Sequence, residues 1–324
     1  MGRLGLRGQR DQQSEHREVR RKVTVIVQLR GGLGNQLFQY AAGYALSKKV
    51  STDLLLDTVL LPESTVDRGG VRRWPEQISS FTHSGQFFDS GRSPGRRRIA
   101  QSLAGIERSV GDSRFRGLLG CATYARESFD DVVSFDRLPE SSRINAYCNS
   151  RRFFSSESSV IAAQVTTLVK PGDWFSATLA EMRVEQPIAI HVRWGDYLNL
   201  RHVYGTVAPS YYARAIAQVS RVIGERPIWL FSDDPAGAAS FLAPIIALDR
   251  VINSPTESTP LENLILLSKA AGLVCANSSF SWWAAFLSSV APGAVVFPRP
   301  LFGETGPPEP KDWLDAEWIQ VGRD

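Results

Sequence analysis

Cysteine is scarce in this chain. Cys121, Cys148 and Cys275 are the only three among 324 residues, and they stand far apart. That spacing gives neither a disulfide framework nor a metal site. Free thiols fit a reducing compartment, and a cytoplasmic protein is expected. Histidine is scarce too, and His16, His83 and His202 have no motif around them. Residues 1–22 lack an apolar core, so no secretory signal is expected there. Asp11, Glu15 and Glu18 argue against an acid-poor transit peptide. One stretch, residues 272–298, carries no charge, but Asn277, several serines and Pro292-Gly293 interrupt it. A spanning helix needs about 20 mostly apolar residues, so the stretch reads as strand, loop, helix, turn, strand. Internal repeats are missing. So is any helix-turn-helix, zinc or RNA-binding signature, which sets nucleic acid aside as a partner.

The remaining composition is that of a globular protein, 43% hydrophobic and 22% charged. The length suggests about two domains. The net charge of +4 is concentrated in two places. One is the tail, with Arg3, Arg7, Arg10, Arg17, Arg20, Arg21 and Lys22. The other is Arg96-Arg97-Arg98, read as an exposed basic loop. This charge leaves room for peripheral association with an anionic membrane surface.

Periodicity predicts a disordered basic tail over 1–22 and a buried strand over 23–29. A glycine turn and a helix over 35–49 follow, then a strand at 54–57. Residues from about 62 to 180 are less regular, with a strand at 143–147 and a helix at 155–167. Beyond Pro187 the pattern is clean. Strands at 188–192, 228–232, 249–252, 272–276 and 294–298 alternate with helices at 209–223, 236–242, 260–270 and 280–289. That alternation marks a doubly wound parallel α/β sheet. Pro171-Gly172 and Pro187 put a boundary near 170–187. The expected organisation is an N-terminal α/β domain over 23–180 and a C-terminal one over 181–324.

Four loops carry chemistry. His191-Val192-Arg193-Trp194-Gly195-Asp196-Tyr197 closes a buried strand with three ionisable side chains, which packing does not explain. Ligands of open α/β sheets sit at such strand ends. The planar fork of Arg193 suits a phosphate. Gly31-Gly32-Leu33-Gly34-Asn35-Gln36 lies between a strand and a helix, but it lacks the third glycine of a dinucleotide fingerprint and the lysine of a P-loop. Phe231-Ser232-Asp233-Asp234-Pro235 supplies one acid to cap a helix and another to face the ligand. In Asn277-Ser278-Ser279-Phe280-Ser281-Trp282-Trp283, an amide and three hydroxyls open a helix and form an anion site.

Together these loops resemble the α1,2-fucosyltransferases. The resemblance rests on GGLGNQLFQYA (31–41), HVRWGDY (191–197), FSDD (231–234) and NSSFSWWAA (277–285). It implies a GT-B-like fold of two Rossmann-like domains, with GDP-fucose held by residues 181–324 and the acceptor by residues 23–180. It implies inversion at the anomeric carbon without a metal or other cofactor. The reaction implied is transfer of L-fucose to a hydroxyl of a galactoside, the 2-hydroxyl of a terminal β-galactose, in surface glycan synthesis. The acceptor would be a galactose-terminated glycan or a lipid-linked oligosaccharide. Another linkage or acceptor stays open, and an NAD-dependent oxidoreductase and a non-catalytic nucleotide-binding protein are weaker alternatives. Arg193 maps onto the arginine that grips the β-phosphate, and Ser278, Ser279 and Ser281 onto the serine-rich loop beside it. Asp233, Asp234, Asn277 and Phe280 complete the donor side, and Glu262 is the candidate for the guanine N1 and N2 donors. Asp196 and His191 are candidates for the base, and Gly34, Asn35 and Gln36 for the acceptor side. The chain departs from the family at Trp194, where a second arginine is common, and at Lys269-Ala270-Ala271, where a Cys-Lys-His-like element is common. Animal members carry a membrane anchor, so a bacterial enzyme is expected.

Overall fold

A computed structural model describes residues 23–62, 74–91, 94–110, 122–125, 132–194, 201–205, 207–306, 309 and 312–324. The expectation for the 1–22 tail lies outside them.

The amino-terminal half opens with β1 (Thr24–Gln28), α1 (Leu33–Lys49) and β2 (Asp53–Asp57). Next come β3 (Gln86–Phe88), α2 (Pro94–Val110), β4 (Ala122–Tyr124), α3 (Val132–Asp136) and β5 (Ser142–Ile144). Its sheet runs β3-β2-β1-β5-β4, parallel throughout. After α4 (Ser158–Thr166) and α5 (Asp173–Glu185), the second half begins at β6 (Ile188–Val192). It continues through α6 (Arg201–Tyr204), α7 (Pro209–Ile223), β7 (Ile228–Ser232), α8 (Pro235–Leu242) and β8 (Arg250–Val251). It closes with α9 (Pro260–Ser268), β9 (Gly272–Val274), α10 (Ser279–Leu287), β10 (Val295–Arg299) and β11 (Ile319–Gly322). Its sheet order is β11-β10-β9-β6-β7-β8, again parallel. The fold is thus two Rossmann-like α/β units, the GT-B-like arrangement.

Both sheets reverse direction of strand order, the first between β1 and β5 and the second between β6 and β9. Crevices at such switch points bind ligands. Strand period two decides what faces them. In β6, Ile188, Ile190 and Val192 pack with α7 and α8 on one face. Ala189 packs on the opposite face with α9 and α10, and that face also receives His191.

Three details differ from the sequence expectation. Helix α1 begins at Leu33, not Asn35, because Gly31 turns the chain at φ +76° and the Gly32 carbonyl accepts the Asn35 and Gln36 amides at 3.0 Å. Arg96-Arg97-Arg98 lies on helix α2 rather than in a loop. The stretch read as irregular contains β3, β4, α2 and α5, and α5 occupies the expected boundary. Among the described residues, no helix is long and apolar enough to cross a membrane.

Candidate active site

Strand β6 delivers its ionisable side chains to the β6–β9 switch point. Arg193 is mostly covered, with its guanidinium 3.4 Å from the Asp233 carboxylate at the end of β7. The other Asp233 oxygen accepts the Trp194 amide at 2.9 Å. One carboxylate therefore clamps both the side chain and the backbone of the 193–194 turn. Trp194 itself turns away and packs on α8 beside Phe241, ring centroids 4.3 Å apart. The residue in place of a second arginine is thus packing for α8.

His191 is buried, and its Nδ1 lies 2.6 Å from the Ser281 hydroxyl. That hydroxyl also accepts the Ala276 amide at 3.0 Å. Burial first, then the Arg193 charge, push the imidazole down to about 4, against an opposing pull from Asp233. His191 is therefore neutral near pH 7. A ring with so low a pKa and one nitrogen engaged is a poor base and a serviceable hydrogen-bond partner.

Helix α10 points its amino end at the same place. Ser278 caps it by accepting the Phe280 amide at 3.2 Å. Ser279 and Phe280 stay half-buried at its mouth. The first-turn amides and the dipole of a helix favour an anion at such an end.

The amino-terminal half closes on this point. A Cβ on Gly34 would meet the Ser279 carbonyl carbon and hydroxyl at 2.6 Å. The Trp283 indole donates to the Gly34 carbonyl at 2.9 Å. The amino ends of α1 and α10 therefore abut, one from each half. Trp74 spans the same gap, its ring 4.9 Å from the Arg193 guanidinium and over Gly32.

Several expected contact residues are supports instead. Glu262 is buried; one of its oxygens accepts the Gly172 amide and the other the Thr259 amide, each at 2.7 Å. It completes the capping box of α9, so both oxygens are engaged by backbone amides. Asp234 caps α8 by accepting the Gly237 amide at 3.0 Å. The Asn277 amide donates to the Tyr204 and Leu301 carbonyls at 2.7 and 2.8 Å, tying the end of α6 to the stretch after β10. Gln36 is fully buried and holds the Gly31 and Pro75 carbonyls and the Gln77 amide. Asn35 is half-buried beside Gly31. Asp196 lies outside the described residues.

One residue was missed. Arg30 is buried just past the carboxyl end of β1, with its guanidinium 4.0 Å from the centre of the Tyr147 ring. It sits at the first switch point as Arg193 sits at the second. The signal was the same, an ionisable group closing a buried strand, without a surrounding motif. Among the described residues, no three His, Cys, Asp or Glu side chains gather to hold a metal.

Residues 174–299 match the model of glycosyl transferase family 11. The chain is 26% identical over 313 residues to the O-antigen biosynthesis glycosyltransferase WbnK of Escherichia coli, covering 90% of this chain and 99% of that protein. It is 24% identical over 301 residues to an alpha-1,2-colitosyltransferase of Escherichia coli, covering 90% and 99%. Among solved structures, fucosyltransferase NodZ from Bradyrhizobium overlays at a TM-score of 0.48 and 16% identity, across 82% of this chain and 94% of that one. Three of the four motifs behind the resemblance, at 191–197, 231–234 and 277–285, fall within the matched residues. The matched segment carries His191, Arg193, Asp233 and the serine-rich loop.

Proposed function

We propose that this chain is an inverting glycosyltransferase that moves L-fucose from GDP-fucose to a hydroxyl of a galactoside. The 2-hydroxyl of a terminal β-galactose, in a surface glycan, is the acceptor position proposed. The observation that carries the reading is Arg193, clamped by Asp233 at the β6–β9 switch point, two residues after His191, which meets Phe280 and Ser281 at the start of α10.

Breaking the bond from the anomeric carbon to the β-phosphate leaves negative charge on the phosphate and an oxocarbenium-like sugar. Preorganised donors stabilise such charge without reorganising. Arg193, the α10 amides and the Ser279 hydroxyl supply them, and the scheme requires no metal. Asp233 keeps the guanidinium in place before the donor arrives. His191, neutral and oriented by Ser281, adds a hydrogen bond rather than a proton-accepting step. The acceptor enters from the amino-terminal side, past Trp74 and the turn at Gly31-Gly32. Asp196 remains the candidate base. If it takes the acceptor proton, Asp196→Asn changes the pH–rate profile, whereas an unchanged rate and profile removes it.

A related donor is a second reading, because a colitosyltransferase is among the relatives. The test is incubation with GDP-fucose or GDP-colitose and a panel of β-galactosides, followed by linkage analysis of the product. An α1,2-fucosylated galactoside is the expected result. Transfer from GDP-colitose alone would replace the donor, and a different linkage would replace the acceptor position. Thermal stabilisation by NAD and not by GDP would overturn the reading altogether.

A further inference from the structure

Helix α2 has an outward face that the proposed chemistry does not use. Ile99 is 62% exposed and Ile106 47% exposed. Leu103, half-buried, stands between them. The spacing i, i+4, i+7 puts the three in one stripe along the helix. Single exposed apolar residues are ordinary, but an aligned stripe marks an interaction surface. Arg96 and Arg98 are both exposed and flank the stripe on opposite sides. Arg97, by contrast, turns inward to the Asp89 carboxylate at 3.0 Å, and Ala104 is buried on the same inner side. An apolar stripe between cations is the pattern of a helix lying in the interface of an anionic bilayer.

The placement of α2 fits that role. Arg97 donates to the Leu61 carbonyl and Gln101 to the Val59 carbonyl, both just past the carboxyl end of β2. Asn145, just past the end of β5, donates to the Ala104 carbonyl at 2.9 Å. The helix therefore runs across the carboxyl edge of the first sheet. That is the edge from which Gly34 meets α10.

We propose that the outer face of α2 docks on an anionic lipid surface, with Ile99, Leu103 and Ile106 in the acyl boundary and Arg96 and Arg98 at the headgroups. A bilayer held there brings a lipid-borne acceptor to the mouth of the site. Docking itself does not depend on the reaction proposed above, because it can be read with no sugar nucleotide present.

The experiment is co-sedimentation of the full chain with phosphatidylcholine vesicles, with and without phosphatidylglycerol. Binding is expected to the anionic vesicles and to fall with added salt. Replacing Arg96 and Arg98 together by Gln should weaken partitioning roughly 30-fold. Replacing Ile99 and Ile106 together by Ser should weaken it about 10-fold. All four side chains are exposed, so both variants should keep the wild-type melting temperature and its shift with GDP. Binding by both variants equal to wild type would place attachment in the basic residues 1–22 and overturn the proposal. So would a wild-type chain that stays in the supernatant.

Discussion

Arg193 and Asp233 form a pair whose value lies in readiness. A guanidinium this covered needs a counter-charge before any phosphate arrives, and the carboxylate at 3.4 Å supplies it. Removing the arginine takes the counter-charge from a buried carboxylate and leaves the leaving group unsupported. Such losses typically run about 2–5 kcal/mol, on the order of 30- to several-thousand-fold in rate. Arg193→Ala should nearly abolish transfer, and wild-type turnover in that variant would remove Arg193 from the mechanism. Asp233→Asn keeps an acceptor for the Trp194 amide but drops the charge. It should retain more activity than Asp233→Ala, and equal activity in the two would argue against a positioning role. His191 gives a stability prediction. Its folded pKa, about 4, lies below the ordinary 6.5, because burial outweighs all else. The unfolded chain thus binds a proton that the folded chain refuses. The stability this residue contributes is whole above about pH 6.5 and is lost as pH falls toward 4. His191→Gln should flatten that part of the acid-side loss in thermal melts, and an unchanged slope between pH 6.5 and 4 would contradict the assignment.

At the level of elements, the caps decide which polar residues are left to meet a ligand. Three helices of the second half open with a dedicated side-chain cap: Asp234 for α8, Thr259 with Glu262 for α9, and Ser278 for α10. Glu262→Ala would strip the α9 box and leave the Gly172 amide without its acceptor. The expected cost is about 1–3 kcal/mol of stability, with the KM for GDP-fucose unchanged. A large rise in that KM at constant melting temperature would return Glu262 to the guanine. The sequence could have separated these roles in part. Thr259-Pro260-Leu261-Glu262 is a capping-box pattern with proline at the first helical turn, whereas the reading by resemblance sent the same glutamate to the nucleotide. Strands β6 and β7 and helix α7 match their sequence ranges residue for residue, since buried parallel strands read as apolar runs and α7 has a strong face. Strands β3 and β4 have three residues each, too few for a period to show. Strand β11 alternates half-buried and exposed residues at a sheet edge, and no apolar run announces it. Asn277 and Gln36 looked like ligand contacts because both lie in motifs. Only the fold shows that their amides are spent on backbone carbonyls, those of Gly31 and Pro75 for Gln36 and of Tyr204 and Leu301 for Asn277.

Across the whole molecule, the two halves are joined by more than a linker. Phe38 of α1, Phe154, and Trp282 and Trp283 of α10 form one aromatic cluster between the sheets. Phe38 lies 4.5 and 5.2 Å from the two tryptophans, and Phe154 is stacked on Trp283 at 5.6 Å. The same continuous core takes in Val25 and Leu56 from the first sheet and Leu273 and Phe297 from the second. Burial on this scale couples the units, because opening one would expose large aromatic surfaces of the other. Calorimetry should therefore show one unfolding transition rather than two. GDP held at about 100 times its Kd should move that whole transition, since such binding adds about 2.7 kcal/mol. Gly34 is where the coupling can be attacked from the amino-terminal half, through its contact with Ser279. An alanine there drives a methyl into the Ser279 backbone at 2.6 Å, and neither helix can yield without disturbing the indole bond to the Gly34 carbonyl. Overpacking of this kind costs about 1–3 kcal/mol. Gly34→Ala should lower the melting temperature by several degrees and loosen the amino end of α10, so its thermal shift with GDP should shrink as well. Two separated transitions in the wild-type chain, or a Gly34→Ala variant with wild-type melting and an unchanged GDP shift, would mean that the halves behave independently.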